Sequence, residues 1–149
     1  MDTSGSPDEH EAALDDALIG VSGSVKEVVT DAMTARSVGS GDVDMLSTPS
    51  LLALVERAAV ASLAGKLPDG TTTVGASVKL AHLEPTPVGT TVKVTASVER
   101  IRSRRLHFIF TAFDSSGEVA GGHHVRAVVD RARFEATAAA RAAEPTEQL

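Results

Sequence analysis

The sequence contains no cysteine, tryptophan, tyrosine or asparagine, and its four phenylalanines are its only aromatic residues. Without cysteine there is no disulfide framework, no thiolate nucleophile and no zinc–thiolate centre. That composition suits a reducing compartment, and a cytoplasmic protein is expected. Without asparagine there is no glycosylation acceptor. No apolar run reaches the 18 residues of a membrane-spanning helix, and no basic stretch followed by an apolar core marks a secretory leader. No association with a membrane is expected.

A chain of 149 residues can bury a real core in one domain. Its formal charge of -6 is unevenly spread. Residues 1–20 hold Asp2, Asp8, Glu9, Glu11, Asp15 and Asp16 and no lysine or arginine, so the remaining residues balance at 14 of each sign. The globular part is neutral, which gives no reason to expect a nucleic-acid surface. Residues 1–20 read as an acidic, disordered tail ending in a short helical turn. Residues 21–134 read as the folded domain, and residues 135–149 as an Ala-rich extension that continues a helix briefly and frays.

The folded domain is organised around the stretch Leu51 to Gly65. Thr48 suits the N-cap, Pro49 the first helical position and Gly65 the C-terminal stop. Only Glu56, Arg57 and Ser62 interrupt the apolar residues between Leu51 and Leu63. Such a helix is expected to be buried on most sides, with a sheet wrapped around it. A carboxylate there costs several kcal/mol unless it is paired, so Glu56 needs a partner or a task.

Segments of period two surround that helix. Gly23 to Thr30 alternates weakly. Thr73 to Leu83 sets Val74, Ala76, Val78 and Leu80 on one face. Thr90 to Ile101 does the same with Val92, Val94, Ala96 and Val98, and Leu106 to Asp114 with Leu106, Phe108, Phe110 and Ala112. In Val119 to Asp130 the residues Val125, Ala127 and Val129 share a face. Short turns between the later segments make antiparallel neighbours. The reading is an α+β domain, an antiparallel sheet curled around one helix.

Several polar residues stand where the pattern calls for apolar ones. His82 falls on the face of Val78 and Leu80 near the strand's end, where it is either a satisfied rim histidine or a base. Glu56 is either one half of an ion pair, with Arg57 or a distant arginine, or a functional carboxylate. Thr48 is either a cap or a site hydroxyl. His123 and His124 are consecutive in a strand, so they point to opposite faces and do not share a metal. Asp42 and Asp44 lack a third ligand, and no metal site is expected. Gly121-Gly122 signals a bulge or a close approach of backbone.

Four strings together resemble the hotdog-fold thioesterases of the fluoroacetyl-CoA thioesterase type. They are Ser47-Thr48-Pro49 with Leu54 to Ala59, Val74 to His82, Thr86 to Val92, and Gly121 to Val129. The resemblance covers residues 23–134 and implies a hotdog fold, a homodimer formed by joining two sheets, and sites at the dimer interface. It also implies that Thr48, Glu56 and His82 form the catalytic set, with the backbone N–H of Gly75 polarising the thioester carbonyl. The segment Gly122-His123-His124-Val125-Arg126 stands where the family has Gly-x-His-Glu-Arg. It nominates His124 and Arg126 as substrate or coenzyme A contacts, with Val125 replacing the family's glutamate.

The implied activity is hydrolysis of a small acyl-CoA, with no cofactor beyond the coenzyme A of the substrate. His82 would be the base or relay, Thr48 would position, activate or supply the attacking oxygen, and Glu56 would orient that network or attack directly. Ser37 to Leu46, which should border the acyl pocket, has no aromatic residue, so fluoroacetyl selectivity is not carried over. The alternatives are a hotdog protein that binds acyl-CoA or another small ligand without hydrolysing it, a structural dimerisation module and, last, a hydratase or dehydratase.

Overall fold

In the computed structural model, which describes residues 14–144 and 146, every alternating segment joins one antiparallel sheet. Its strands are β1 (Ser22–Val28), β2 (Thr71–His82), β3 (Thr91–Arg102), β4 (Arg105–Asp114) and β5 (Gly117–Asp130), in the order β1-β3-β4-β5-β2. Between β1 and β2 come a helical turn, α1 (Ala35–Val38), and the long helix α2 (Thr48–Ser62), while α3 (Arg131–Ala143) follows β5. The acidic stretch lies outside the described residues up to Ala13. From there Leu14, and Leu18 at the end of a 3₁₀ turn, Asp16–Leu18, are buried. The Ala-rich end is helical from Arg131, because Asp130 accepts from the Arg133 N–H and caps α3. Among the described residues no helix is long and apolar enough to cross a membrane.

The core sits between α2 and the inner face of β3 and β4. Val92, Val94, Ala96, Val98, Leu106, Phe108, Phe110 and Ala112 are all buried, as their alternation requires. On α2 the buried side is Leu51, Leu54, Val55, Ala58, Ala59 and Ser62. β1 presses on it through Gly23, whose missing side chain would meet the Ala58 carbonyl oxygen.

The helix departs from expectation in two ways. Its cap is Ser47, not Thr48: the Ser47 hydroxyl accepts from the Ser50 N–H at 3.1 Å, and Thr48 is the first residue of the helix. Either hydroxyl satisfies the sequence rule, but only Ser47 has the extended backbone a cap needs. Replacing Ser47 by Ala should therefore cost about 1 kcal/mol, read as a midpoint shift in urea unfolding. The second departure is that α2 is covered on one side only. It lies on β1 and β3 and merely skirts β2, leaving Ala53, Val60 and Ala61 exposed and Leu52 and Glu56 half-buried.

Two strands present faces that strict alternation misassigns. In β2 the register slips between Gly75 and Ser77, and this bulge reverses the faces. Gly75 points at the Glu56 carboxylate, while Val78 and Leu80, beyond the bulge, pack on the core. Val74, paired with Ala127, thus lies on the outer face, contrary to the period-two reading. In β5 beyond Gly122 the buried residues are His124, Arg126 and Val128, whereas Val125, Ala127 and Val129 share the half-buried outer face. The close approach signalled by Gly121-Gly122 occurs at Gly122, where a Cβ would overlap the Lys79 carbonyl oxygen of β2.

Candidate active site

The groove between α2 and the inner face of β2 holds two polar clusters. At its upper end the N-terminus of α2 meets the end of β2. Because Ser47 does the capping, the Thr48 hydroxyl is free to reach across, and its Oγ lies 2.9 Å from Nδ1 of His82. His82 Nε2 is buried and has no hydrogen-bond partner. Burial lowers the pKa of His82 below the ordinary 6.5, partly opposed by a backbone group of Glu84. The ring is thus neutral near pH 7, and Nδ1 can accept the Thr48 hydroxyl proton. The pair opens on a cleft of about 360 Å³ that Ser40, Val43, Met45 and Leu83 also line. Ser40, Val43, Met45 and Leu46 of this lining come from the segment between Ser37 and Leu46.

The second cluster is built on Arg126. Its side chain is almost wholly buried, and its fork is directed by four hydrogen bonds. Nε donates to Thr73 Oγ1 at 2.9 Å and Nη2 to the Thr73 carbonyl at 3.1 Å. Nη1 donates to Glu56 Oε2 at 2.9 Å and lies 3.2 Å from His124 Nε2. His124 Nδ1 is 2.8 Å from the Ser77 carbonyl, an acceptor only, so Nδ1 carries the proton and Nε2 accepts from Arg126. Burial first, and then the Arg126 charge, lower the His124 pKa, opposed by its Ser77 hydrogen bond and by Glu56. Phe108 stacks on its ring with centroids 6.0 Å apart.

An unfolded chain takes up the His124 proton near 6.5 and the folded one at lower pH. The contribution of neutral His124 to stability is present above 6.5 and is lost as pH falls below it.

Glu56 is therefore paired with a distant arginine, while Arg57 binds Glu27 at 3.3 Å. The Glu56 side chain keeps 38% of its exposure, and one edge of the carboxylate faces a second cleft of about 330 Å³ lined by Leu52, Gly75, Ser77 and His124. A Cβ at Gly75 would meet Glu56 Oε2, so any side chain there would push the carboxylate away from Arg126.

The fold thus joins Thr48 to His82, and Glu56 to Arg126, His124 and Gly75, but the two groups line separate clefts of the same seam. Thr48, Leu52 and Glu56 recur every four residues along one side of α2, with Leu52 between the clusters. Arg126, nominated as a coenzyme A contact, has its donors turned inward to Glu56, His124 and Thr73. Thr73 escaped the sequence reading, because a threonine in a strand carries no signal until its neighbour across the ladder is known. His123 is exposed on the opposite face from His124. Asp44 pairs with Arg36 at 2.8 Å. Among the described residues no three His, Asp or Glu side chains are placed to hold a metal ion.

A family model described as fluoroacetyl-CoA-specific thioesterase matches residues 29–132. A fluoroacetyl-CoA thioesterase of Streptantibioticus cattleyicolor is 33% identical over 93 residues, covering 62% of this chain and 67% of that protein. A mutant of the fluoroacetyl-CoA-specific thioesterase FlK, solved in complex with fluoroacetate and CoA, superposes with a TM-score of 0.73 at 29% identity, covering 78% of this chain and 98% of its own. A hot-dog-like protein from Thermanaerovibrio acidaminovorans superposes at 0.75 with 28% identity, covering 80% of this chain and 89% of its own. The architecture is the α+β hotdog fold.

Proposed function

This chain belongs to the fluoroacetyl-CoA-specific thioesterase family, and from that membership we propose that it hydrolyses a short acyl-CoA using Thr48, His82 and Glu56. The observation that carries the reading is the 2.9 Å contact between Thr48 Oγ and His82 Nδ1. A threonine hydroxyl is a poor nucleophile at its own pKa and needs a base in contact. A neutral imidazole held there is such a base.

In this reading Thr48 Oγ adds to the thioester carbonyl carbon as its proton passes to His82 Nδ1. The C–S bond then breaks, and His82 returns the proton to the departing coenzyme A sulfur. Water completes the cycle by hydrolysing the threonyl ester. Glu56, fixed by Arg126 and reaching the ester from a second copy of the chain, takes the proton of that water, and the proton returns to Thr48 Oγ as the ester bond breaks. Seven strand residues, roughly 20 Å, separate Gly75 from His82 within one chain, so the Gly75 N–H assigned to the carbonyl oxygen, where charge develops, is that of a second copy. Arg126 serves by holding Glu56, and His124 by holding Arg126. No resident metal or cofactor is needed.

The seam is only half closed in one chain. The open side of α2 and the free edge of β2 together present the surface on which a second copy would complete the channel, and we assign the protein a homodimeric state. Apart from His82 and Glu84, the cleft beside Thr48 is lined by small and aliphatic side chains, which fits a short acyl group without naming it.

Thiol release from a panel of short acyl-CoAs tests the reading. Turnover of one or a few substrates is expected, and Thr48→Ala should lower it by at least about a hundredfold. Because Ser47 is the cap, that variant keeps the start of the helix and loses one hydrogen bond, to His82, a cost of about 1 kcal/mol that leaves it folded. Turnover unchanged by Thr48→Ala would remove Thr48 from the mechanism. Binding of acyl-CoA without release of thiol would leave a binding protein. The pH profile is a second check. Since burial holds the His82 pKa below 6.5, the acid limb of kcat/KM should lie below pH 6.5.

A further inference from the structure

Arg126 holds Glu56 by a single hydrogen bond, from Nη1 to Oε2. The other carboxylate oxygen, Oε1, has no partner among the described residues. Two parallel bonds between a guanidinium and a carboxylate would fix both groups in one plane. One bond fixes a distance and leaves the direction of the carboxylate to whatever holds the guanidinium. The aim of Glu56 is therefore decided on the far edge of Arg126.

That far edge belongs to Thr73. A guanidinium is a rigid plane of N–H donors, so bonds on its Nε and Nη2 side set where Nη1 points. Thr73 supplies both acceptors: its hydroxyl oxygen accepts from Nε at 2.9 Å and its carbonyl oxygen from Nη2 at 3.1 Å. His124 bonds the same nitrogen as Glu56, at 3.2 Å, and so does not supply that second anchor. The ladder explains how one residue can do this. Gly75 lies opposite Arg126 and Thr73 opposite Val128, and Thr73 and Gly75, alternate residues before the bulge, share the inner face. A Cβ on Gly75 would meet Glu56 Oε2 and lie 3.6 Å from Arg126 Nη1. The missing side chain is thus the gap in which the two charged groups meet, and Thr73 stands at its end. A β-branched side chain is stiff at χ1, which keeps the Thr73 hydroxyl in place.

We propose that Thr73 is a positioning residue for ester hydrolysis: by clamping the Nε–Nη2 edge of Arg126, it aims the free oxygen of Glu56 at the water that attacks the threonyl ester. The proposal rests on the assignment of Glu56 as the base for that water. Thr73 touches neither of the groups that form the ester, since Thr48 and His82 lie in the other cluster. The two halves of the reaction therefore respond differently to its loss. Formation of the ester keeps its rate, and hydrolysis of the ester slows.

The test is rapid-mixing thiol release from the full-length protein with a short acyl-CoA that it turns over, together with intact-mass detection of the ester. The variants are Thr73→Val, Thr73→Ser and Glu56→Gln. Thr73→Val keeps the shape and the carbonyl acceptor and removes the hydroxyl. Its first equivalent of thiol should appear at the wild-type rate. Hydrolysis of its ester should slow about tenfold, within the roughly 10²-fold that a misplacement of about 1 Å can cost, and the ester should accumulate as the added mass of the acyl group. Thr73→Ser restores the acceptor and should hydrolyse the ester at close to the wild-type rate, while Glu56→Gln should accumulate the most. Ester hydrolysis at the wild-type rate in Thr73→Val would overturn the proposal. So would an equal slowing of both steps, which is what a general loosening of the domain produces. If Glu56→Gln accumulates no ester either, the assignment of Glu56 as the base fails, and the proposal falls with it.

Discussion

Glu56→Gln lowers thioester turnover by about 10²–10⁴-fold and leaves the protein folded. The substitution is nearly isosteric, and the amide oxygen can still accept from Arg126 Nη1, which donates to Glu56 Oε2 at 2.9 Å. The arginine keeps its Thr73 and His124 bonds, so the buried side of the cluster is unchanged. What is lost is a group able to accept a proton. If Glu56 were only a structural counter-charge for Arg126, the variant would lose stability and retain activity. Unfolding in urea and thiol release measured on the same sample separate the two outcomes. Glu56→Ala is a poorer test, because it strands a buried guanidinium whose pairing partner is gone.

Gly122→Ala unfolds the domain or destabilises it by more than about 3 kcal/mol, the range reserved for strain that nothing nearby can relieve. The added Cβ overlaps the carbonyl oxygen of Lys79 and comes within 2.9 Å of Phe110 Cζ. The carbonyl belongs to the β2 backbone, held in register by the pairing of Leu80 with Gly122. Gly121→Ala is the matched control. Its nearest contact, at 3.3 Å, is Glu118 Oε1, the far end of a flexible side chain, and the next is the Phe110 carbonyl at 3.7 Å. Adjacent glycines should therefore differ sharply in unfolding midpoint.

The fold was legible where packing alone decides the pattern. β3 and β4 bury one face against α2, so alternation identifies their inner residues without error. It failed where polar groups satisfy one another. The buried face of β5 carries His124 and Arg126, and periodicity favours the opposite face because Val125, Ala127 and Val129 look like a core. Only the partners Glu56, Thr73 and Ser77, distant in sequence, make the polar face viable. The cap on α2 was misplaced by one residue, since Ser47 and Thr48 carry the same chemistry and differ in backbone conformation. Thr48, Glu56 and His82 were found by resemblance. Spacing could place them along one seam but could not say that Leu52 separates them or that Arg126 holds the carboxylate.

The bulge in β2 has a consequence for how such a chain can vary. Gly75 and His82 are seven positions apart, an odd number that would send them to opposite sides of a regular strand. One surplus residue between them restores agreement, so that Glu56 and Thr48 each find their partner on the same side of the sheet. Replacing the outward-facing Ser77 or Lys79 leaves this arrangement in place, but changing the number of residues does not. Deleting a single codon here would leave β3, β4 and their buried residues untouched while turning one end of the groove to the outside. In this segment the number of residues bears on the site more directly than the identities of those between its ends.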